Sequence, residues 1–157
     1  MKDIKHASIN GVEIRNLAEL DDDENLLYSG ELWLGGNKVG TFHEDLQEGI
    51  KMDINPEFEE EFGEKIDSYL NALTEGTDEE LPPETFAEDL IELEIYLQKF
   101  KEGLAEGYGC LLVNYREDGG VDVYSVESED DVEEIARDNN LTDFQTFYEF
   151  DHFIIDC

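Results

Sequence analysis

The fold class is decided by residues 85–126, which read TFAEDLIELEIYLQKFKEGLAEGYGCLLVNYREDGGVDVYSV. The first half predicts a helix of about twenty residues, because its apolar side chains recur at the spacing of one helix face. These side chains are Phe86, Leu90, Leu93, Leu97, Phe100 and Leu104. The second half predicts a β-hairpin, because the turn Asp-Gly-Gly at residues 118–120 separates an apolar run from a strictly alternating one. A helix followed by paired antiparallel strands favours an α+β fold.

Ile91 and Ile95 fall almost opposite the apolar stripe of this helix. A helix that is apolar on two faces is usually sandwiched between two layers, or it offers one face to a partner. The sequence leaves both readings open.

The segments before this helix predict strands and a further helix. A first strand is expected at residues 4–14, although it contains the turn signal Asn10-Gly11, and further strands are expected at 26–34, 39–42 and 50–54. The run DDDEN at 21–25 predicts an acidic loop. Asn55 is expected to cap the first helix, with Pro56 as its first residue. The apolar face of this helix would comprise Phe58, Phe62, Ile66, Tyr69, Leu70 and Leu73.

The segments after the hairpin predict a short helix and a terminal strand. Ser128 and Asp131 resemble a capping box, and the helix would run to about residue 139. Residues 144–155 are aromatic and strand-like, with a bend expected at 151–152. The whole order predicts an α+β fold with antiparallel sheets, two longer helices in the middle of the chain and one short C-terminal helix.

We expect one domain spanning residues 1–157. Its parts would be an N-terminal β region at 1–54, a helical region at 55–106, and the hairpin, short helix and terminal strand at 107–157.

The chain has 43 acidic and 10 basic residues, a net charge of -33 over 157 residues. Residues 52–98 hold 16 acids and one base, residues 117–157 hold 14 acids and one base, and residues 1–51 hold 11 acids and five bases. Like charges one helical turn apart cost a few tenths of a kcal/mol per pair, and solubility needs a far smaller net charge. The acidity therefore indicates a cationic partner. Adaptation to high salt would also explain it, but abundant Ile, Phe, Tyr and Asn and scarce Ala are typical of an ordinary low-GC genome.

Several functional classes are disfavoured by the sequence. A strongly acidic chain repels nucleic acid and anionic membranes, so we expect neither as a direct partner. No basic segment precedes an apolar run and no stretch of 18 apolar residues occurs, which predicts a cytoplasmic protein. Cys110 and Cys157 do not form a disulfide framework.

No arrangement of residues in the sequence indicates a particular reaction. Ser, Cys and His are not placed as a nucleophile with its base, and the only local ligand-like cluster is His43, Glu44 and Asp45. We therefore expect no enzyme, no cofactor and no metal site, with a metal-dependent enzyme as a distant alternative.

The opening of the chain resembles small uncharacterised proteins carried by phages and plasmids. The residues that carry the resemblance are Ile4-Lys5, the strand 30–34 (GELWL), the segment 36–40 (GNKVG) and Leu81-Pro82-Pro83 before a long helix. The chain departs from that group by having His43-Glu44-Asp45 where the group has a glycine-rich segment. In size and charge the chain also resembles acidic anti-defence proteins that mimic DNA, such as anti-restriction and anti-CRISPR proteins. The resemblance to the phage and plasmid group carries over no catalytic residues, and the resemblance to DNA mimics rests on size, charge and an apparent origin on mobile elements in bacterial cells, with no shared motif.

From charge and resemblance together we expect an inhibitor that binds the cationic nucleic-acid groove of a defence nuclease, first of all a CRISPR effector. The alternative is a binding module or antidote for another basic protein, such as a toxin or a regulator. The expected partner-binding residues are the acids of the two longer helices and of the short one: Glu57, Glu60, Glu61, Glu64, Asp67, Glu84, Glu88, Asp89, Glu92, Glu129, Asp130, Asp131, Glu133 and Glu134.

Overall fold

Alternating and glycine-punctuated segments form nine strands in the part of the chain that the computed structural model describes, residues 4–22 and 25–157. The strands are β1 Ser8–Ile9, β2 Val12–Asp22, β3 Asn25–Leu34, β4 Asn37–Asp45, β5 Gly49–Ile54, β6 Cys110–Tyr115, β7 Val121–Val126, β8 Phe144–Phe147 and β9 Ile154–Ile155. The helices are α1 Glu59–Leu73, α2 Glu84–Glu106 and α3 Val132–Asp138, with 3-10 turns at Pro56–Phe58, Glu129–Asp131 and Phe150–Phe153. The α+β fold with antiparallel sheets, two longer central helices and one shorter helix is confirmed.

The chain divides into two units, one built on Lys5–Glu94 with Ile154–Cys157 and the other on Ile95–Phe153. The division falls inside α2, so this one helix supplies residues to both units. We refer to them below as the larger and the smaller unit.

The larger unit contains a six-stranded sheet in the order β5-β4-β3-β2-β1-β9. Two of its hairpins close through two-residue turns, at residues 10–11 and 35–36, and all four turn residues have positive φ. Positive φ at both central residues is the turn type whose twist matches a hairpin, which is why Asn-Gly and Gly-Gly occur there. The last strand, β9, pairs in parallel with β1.

The helices of the larger unit bury aromatic side chains against each other. Phe62 and Tyr69 of α1 both make edge-to-face contacts with Phe86 of α2, at ring centroid distances of 5.9 and 5.6 Å. Edge-to-face pairs of this kind stabilise by about 0.5–1.5 kcal/mol beyond the burial of their area. This packing fixes the opposite, acidic faces of α1 and α2 on a rigid scaffold.

The smaller unit contains a three-stranded sheet in the order β7-β6-β8. Cys110, Leu112 and Val126 of this sheet form a buried cluster with Val132 of α3. A second group of rings packs around Phe153, which stacks on Phe147 at 4.7 Å and contacts Phe100 at 5.4 Å. The smaller unit therefore has its own apolar core.

Several local predictions need correction. Asn55 occupies the N-cap position of a 3-10 turn that begins at Pro56 and leads into α1, as predicted, but its side chain makes no capping bond. Its amide nitrogen donates instead to the Lys38 carbonyl at 3.5 Å. Leu73, predicted to be buried, is 48% exposed. The Ser128 hydroxyl likewise makes no capping bond to the backbone and instead contacts the Asp131 carboxylate at 3.5 Å.

Two predicted segments also differ from the elements observed in the structure. Residues 144–155 are not one strand, because the 3-10 turn Phe150–Phe153 separates β8 from β9 and the two strands belong to different sheets. The acidic loop predicted at 21–25 is wrong for Asp21, Asp22 and Asn25, which belong to the β2–β3 ladder, where Asp22 pairs with Asn25. Residues 23–24 lie outside the described part.

Ile91 and Ile95, which lie opposite the main apolar stripe of α2, differ in their burial. Ile91 is 4% exposed and belongs to the core, whereas Ile95 is half-buried. Core packing therefore explains Ile91.

Candidate functional site: the acidic helix surfaces

The outward face of α1 carries carboxylates because four of its large apolar residues recur at helical spacing on the inward face. Phe62, Ile66, Tyr69 and Leu70 are buried. The acids predicted to bind a partner on this segment are all exposed: Glu57, Glu60, Glu61, Glu64 and Asp67. Within the described residues, no basic side chain lies within 4.0 Å of any of these five carboxylates. The face is a row of unneutralised negative charge.

The outward face of α2 adds a second set of acids. Glu84, Glu88 and Glu92 follow one another at four-residue intervals and are exposed, and Asp89 beside them is half-buried. Glu44 of β4 lies close enough to add its charge to that of Glu88. We call this group of five, Glu44, Glu84, Glu88, Asp89 and Glu92, the α2 carboxylate cluster.

Tyr69 connects α1 with this cluster. Its hydroxyl donates a hydrogen bond to the Asp89 carboxylate at 2.5 Å, the short distance expected when the acceptor is ionised. Burial, followed by this bond and the charge of Asp89, raises the pKa of Tyr69, so the phenol remains a donor. The bond holds Asp89 in place between the two helices.

Three ionised carboxylates of the cluster are energetically disfavoured in the folded protein, as their pKa values show. Partial burial raises the pKa of Glu88, and the charges of its neighbours in the cluster raise it further. Burial also raises the pKa of Glu92, with Asp89 and Glu88 adding to the effect. The pKa of Asp89 is raised by burial as well, although the hydrogen bond from Tyr69 opposes the change. A raised carboxyl pKa means that the ionised form is disfavoured in the folded protein, and a nearby cation would relieve this.

The remaining predicted residues lie in the smaller unit, on the turn Glu129–Asp131 and the start of α3. Glu129, Asp130, Glu133 and Glu134 are exposed, and Asp131 is half-buried. Beneath them Val132 and Ala136 are buried. The structure therefore distributes the predicted residues over two units, with those of α1 and α2 in one and those of α3 in the other.

Two acids that matter in the larger unit were missed from the sequence. Glu44 was considered only as a metal ligand, and its contribution to the cluster depends on the register that places β4 beside β3, where its carboxylate accepts from the Tyr28 N–H at 3.2 Å. Glu94 is 3% exposed and accepts hydrogen bonds from the Ala7 N–H at 2.8 Å and from His6 Nδ1 at 2.9 Å. Its position between Leu93 and Ile95, in the apolar part of α2, was the signal available in the sequence.

The side chains of residues 4–22 and 25–157 do not form a recognisable metal site. No group of three or more His, Cys, Asp or Glu side chains in that part is arranged to hold a metal ion. His43, Glu44 and Asp45 follow one another along β4, so alternate side chains point to opposite faces of the sheet.

None of the helices in the described part combines the length and the hydropathy needed to cross a bilayer. Comparison with protein-family models, with curated proteins and with solved structures found no match to this chain.

Proposed function

We propose that this protein is an acidic inhibitor that occupies the cationic nucleic-acid groove of a defence nuclease, and that the nuclease is a CRISPR effector. The observation that supports this most is the row of unpaired carboxylates on packed helices. Folded helices present charge without the ordering cost that a flexible acidic tail would incur on binding. The protein binds its target and has no reaction of its own, and it acts in the bacterial cytoplasm where such nucleases work.

The linear density of charge on α1 supports mimicry of a nucleic-acid strand. Residues 59–67 carry five acids and one base, Lys65. Nine helical residues rise about 13.5 Å, so the net four charges correspond to one charge per roughly 3.4 Å. A strand of duplex DNA has one phosphate per about 3.4 Å of axis. Lys and Arg side chains spaced to receive phosphates would therefore meet carboxylates at a similar density.

The energetic signature of the α2 carboxylate cluster supports the same proposal. Carboxyl groups whose pKa is raised by burial and further by like charges destabilise the free protein. Exposed acids of this kind would be relieved by interspersed lysines, yet Lys65 is the single base in residues 52–98. A cationic partner supplies the missing counter-charges on binding.

The decisive experiment measures whether the protein displaces labelled duplex DNA from a purified guide-loaded RNA-guided nuclease, by fluorescence anisotropy and by cleavage. We expect displacement that weakens steeply as salt rises, because the Debye length falls from about 10 Å at 0.1 M to about 3 Å at 1 M. An affinity that does not change with salt would contradict the proposal.

Charge-reversal variants show whether position matters. The test variant is Glu60→Lys, Glu64→Lys and Asp67→Lys on α1. The matched control is Glu75→Lys, Asp78→Lys and Glu79→Lys, three exposed acids between α1 and α2 that change the net charge equally. We expect the test variant to lose inhibition and the control to retain most of it, since like charges facing each other in a groove cost several kcal/mol. Equal losses would mean that only bulk charge acts. Salt-dependent binding to a basic toxin or regulator, without binding to any nuclease, would favour the alternative partner class.

A further inference from the structure

The larger unit contains a cleft of about 380 Å³ at one end of its sheet. The turns at residues 10–11 and 35–36 form two of its sides, and Phe58, Glu61 and Lys65 line another. Its volume is at the small end of the range of about 300–1,000 Å³ for ligand sites, so it suits one side chain or a small molecule.

Trp33 lines this cleft and is fixed in position by two contacts. Its indole N–H donates to the Glu31 carboxylate at 3.0 Å, and the Arg15 guanidinium lies 4.1 Å from the ring centroid. Arg15 in turn donates to Oε2 of Glu13, another residue of the cleft, at 3.2 and 3.3 Å. The protein therefore already pairs a guanidinium with an aromatic ring and a carboxylate at this place.

The floor of the cleft is preorganised by Asn10. This residue is 9% exposed, its side-chain amide donates to the Lys65 carbonyl at 2.9 Å, and its side-chain oxygen accepts from the Cys157 N–H at 2.6 Å. One side chain thus connects the β1–β2 turn to α1 and to the C-terminal segment. A fixed floor reduces the ordering cost of binding.

We propose that this cleft receives an arginine side chain of the cationic partner, an inference that rests on the proposed function and locates one anchor contact of it. Glu61, exposed on α1, and the second oxygen of Glu13 supply carboxylate acceptors, and Trp33 and Phe58 supply aromatic surface. A planar guanidinium with five donors can stack on a ring and bond a carboxylate through two N–H groups at the same time, whereas an ammonium group is a compact point charge without that planar fork.

The positive charge of Lys65 provides a test of whether the occupant of the cleft is cationic. It lines the cleft, and within the described part no carboxylate lies within 4.0 Å of its ammonium group. Its charge would oppose a bound guanidinium. An anionic occupant would gain from Lys65 but would meet the field of a chain with a net charge of -33, which disfavours it.

The experiment uses Trp33 as a local reporter, since it is the only tryptophan of the chain. The full-length protein is titrated with the blocked peptides acetyl-Gly-Arg-Gly-amide, its lysine counterpart and its neutral citrulline counterpart, while indole emission is recorded. We expect a saturable change with arginine, a weaker one with lysine and none with citrulline. Glu61→Gln should raise the Kd for the arginine peptide about tenfold, and Lys65→Met should lower it. The matched control Glu75→Gln, an exposed acid between α1 and α2 and outside the cleft, should change it less than twofold.

A second measurement separates failure of the anchor from failure of the proposed function. Binding of deca-arginine is followed by calorimetry in parallel. Calorimetric binding without a saturable change at Trp33 would overturn the cleft assignment and leave the proposed function standing. Absence of both signals would overturn both. Equal responses to arginine and citrulline would replace the arginine with a neutral occupant, and equal losses in Glu61→Gln and Glu75→Gln would reduce the effect to bulk charge.

Discussion

Neutralising two acids of the α2 carboxylate cluster should stabilise the fold while it weakens binding. The perturbation is the double variant Glu88→Gln and Glu92→Gln. Both side chains are exposed, so the amides fit without steric change, and both carboxyls have a raised pKa. The free protein therefore becomes more stable when the charges are removed, whereas a complex with a cationic partner loses two of its contacts.

The size of the gain follows from the pairs that are removed. The two substitutions abolish three like-charge helix pairs, Glu84 with Glu88, Glu88 with Glu92, and Asp89 with Glu92. At about 0.2–0.5 kcal/mol per pair the free energy of unfolding should rise by roughly 0.6–1.5 kcal/mol. For a chain of this length about 1 kcal/mol shifts Tm by roughly 2–4 °C, so Tm should rise by about 1–6 °C.

The assay is differential scanning calorimetry at pH 7 and low salt, repeated in 1 M NaCl, where screening should remove most of the gain. The matched control is Glu75→Gln and Glu79→Gln, which removes the same charge from exposed positions outside the helices. An unchanged or lower Tm in the test variant, with an intact circular dichroism spectrum, would refute the reasoning. Equal gains in both variants would attribute the effect to net charge alone.

Three other outcomes are expected. The wild-type Tm should rise as pH falls from 7.5 towards 5, because the raised pKa values on α2 favour protonation of the folded state above the ordinary carboxyl value of 4.5. Below that value it should fall again, since Glu31 and Asp45 have lowered pKa values and lose their contribution on protonation; a thermal melt at half-unit pH steps that falls monotonically from 7.5 would contradict this. Glu94→Ala leaves a buried N–H unpaired at a cost of about 1–3 kcal/mol, so Tm should drop by about 2–12 °C, while Glu94→Gln keeps an oxygen acceptor and should lose less; equal drops would be inconsistent. Gly40→Ala should destabilise by about 1–3 kcal/mol in urea unfolding, because its Cβ would overlap the backbone of β5, whereas Gly63→Ala on α1 meets open space and should stabilise by up to about 1 kcal/mol; a gain at Gly40 would count against the close strand packing.

The elements of this fold were largely readable from the sequence, because local periodicity fixes which face of a segment is apolar. Phe62 and Ile66 lie at helical spacing on α1 and are buried, and Phe86 belongs to the corresponding apolar stripe of α2 and is also buried. The acids between these residues in the sequence are exposed. The Asn10-Gly11 and Gly35-Gly36 turns were readable for a similar reason, since positive φ is cheap for these residue types. An outward acidic surface on α1 and α2 follows from these local rules alone.

What the sequence could not supply is every relation between residues distant along the chain. The strand β9 joins β1 although the preceding strand β8 belongs to the other sheet, and no local pattern encodes that choice. The Tyr69–Asp89 bond, the burial of Glu94 against Ala7 and the cleft around Trp33 each unite segments that are far apart in sequence.

Composition and spacing thus determined that this protein is strongly acidic and that most acids of its helices lie outward, because both follow from the order of residue types along the chain. Only the tertiary structure decided which acids meet to form the α2 carboxylate cluster and which one is buried. The physical reason is that electrostatic repulsion, desolvation and hydrogen bonding depend on distances through space, and these are set by packing between elements.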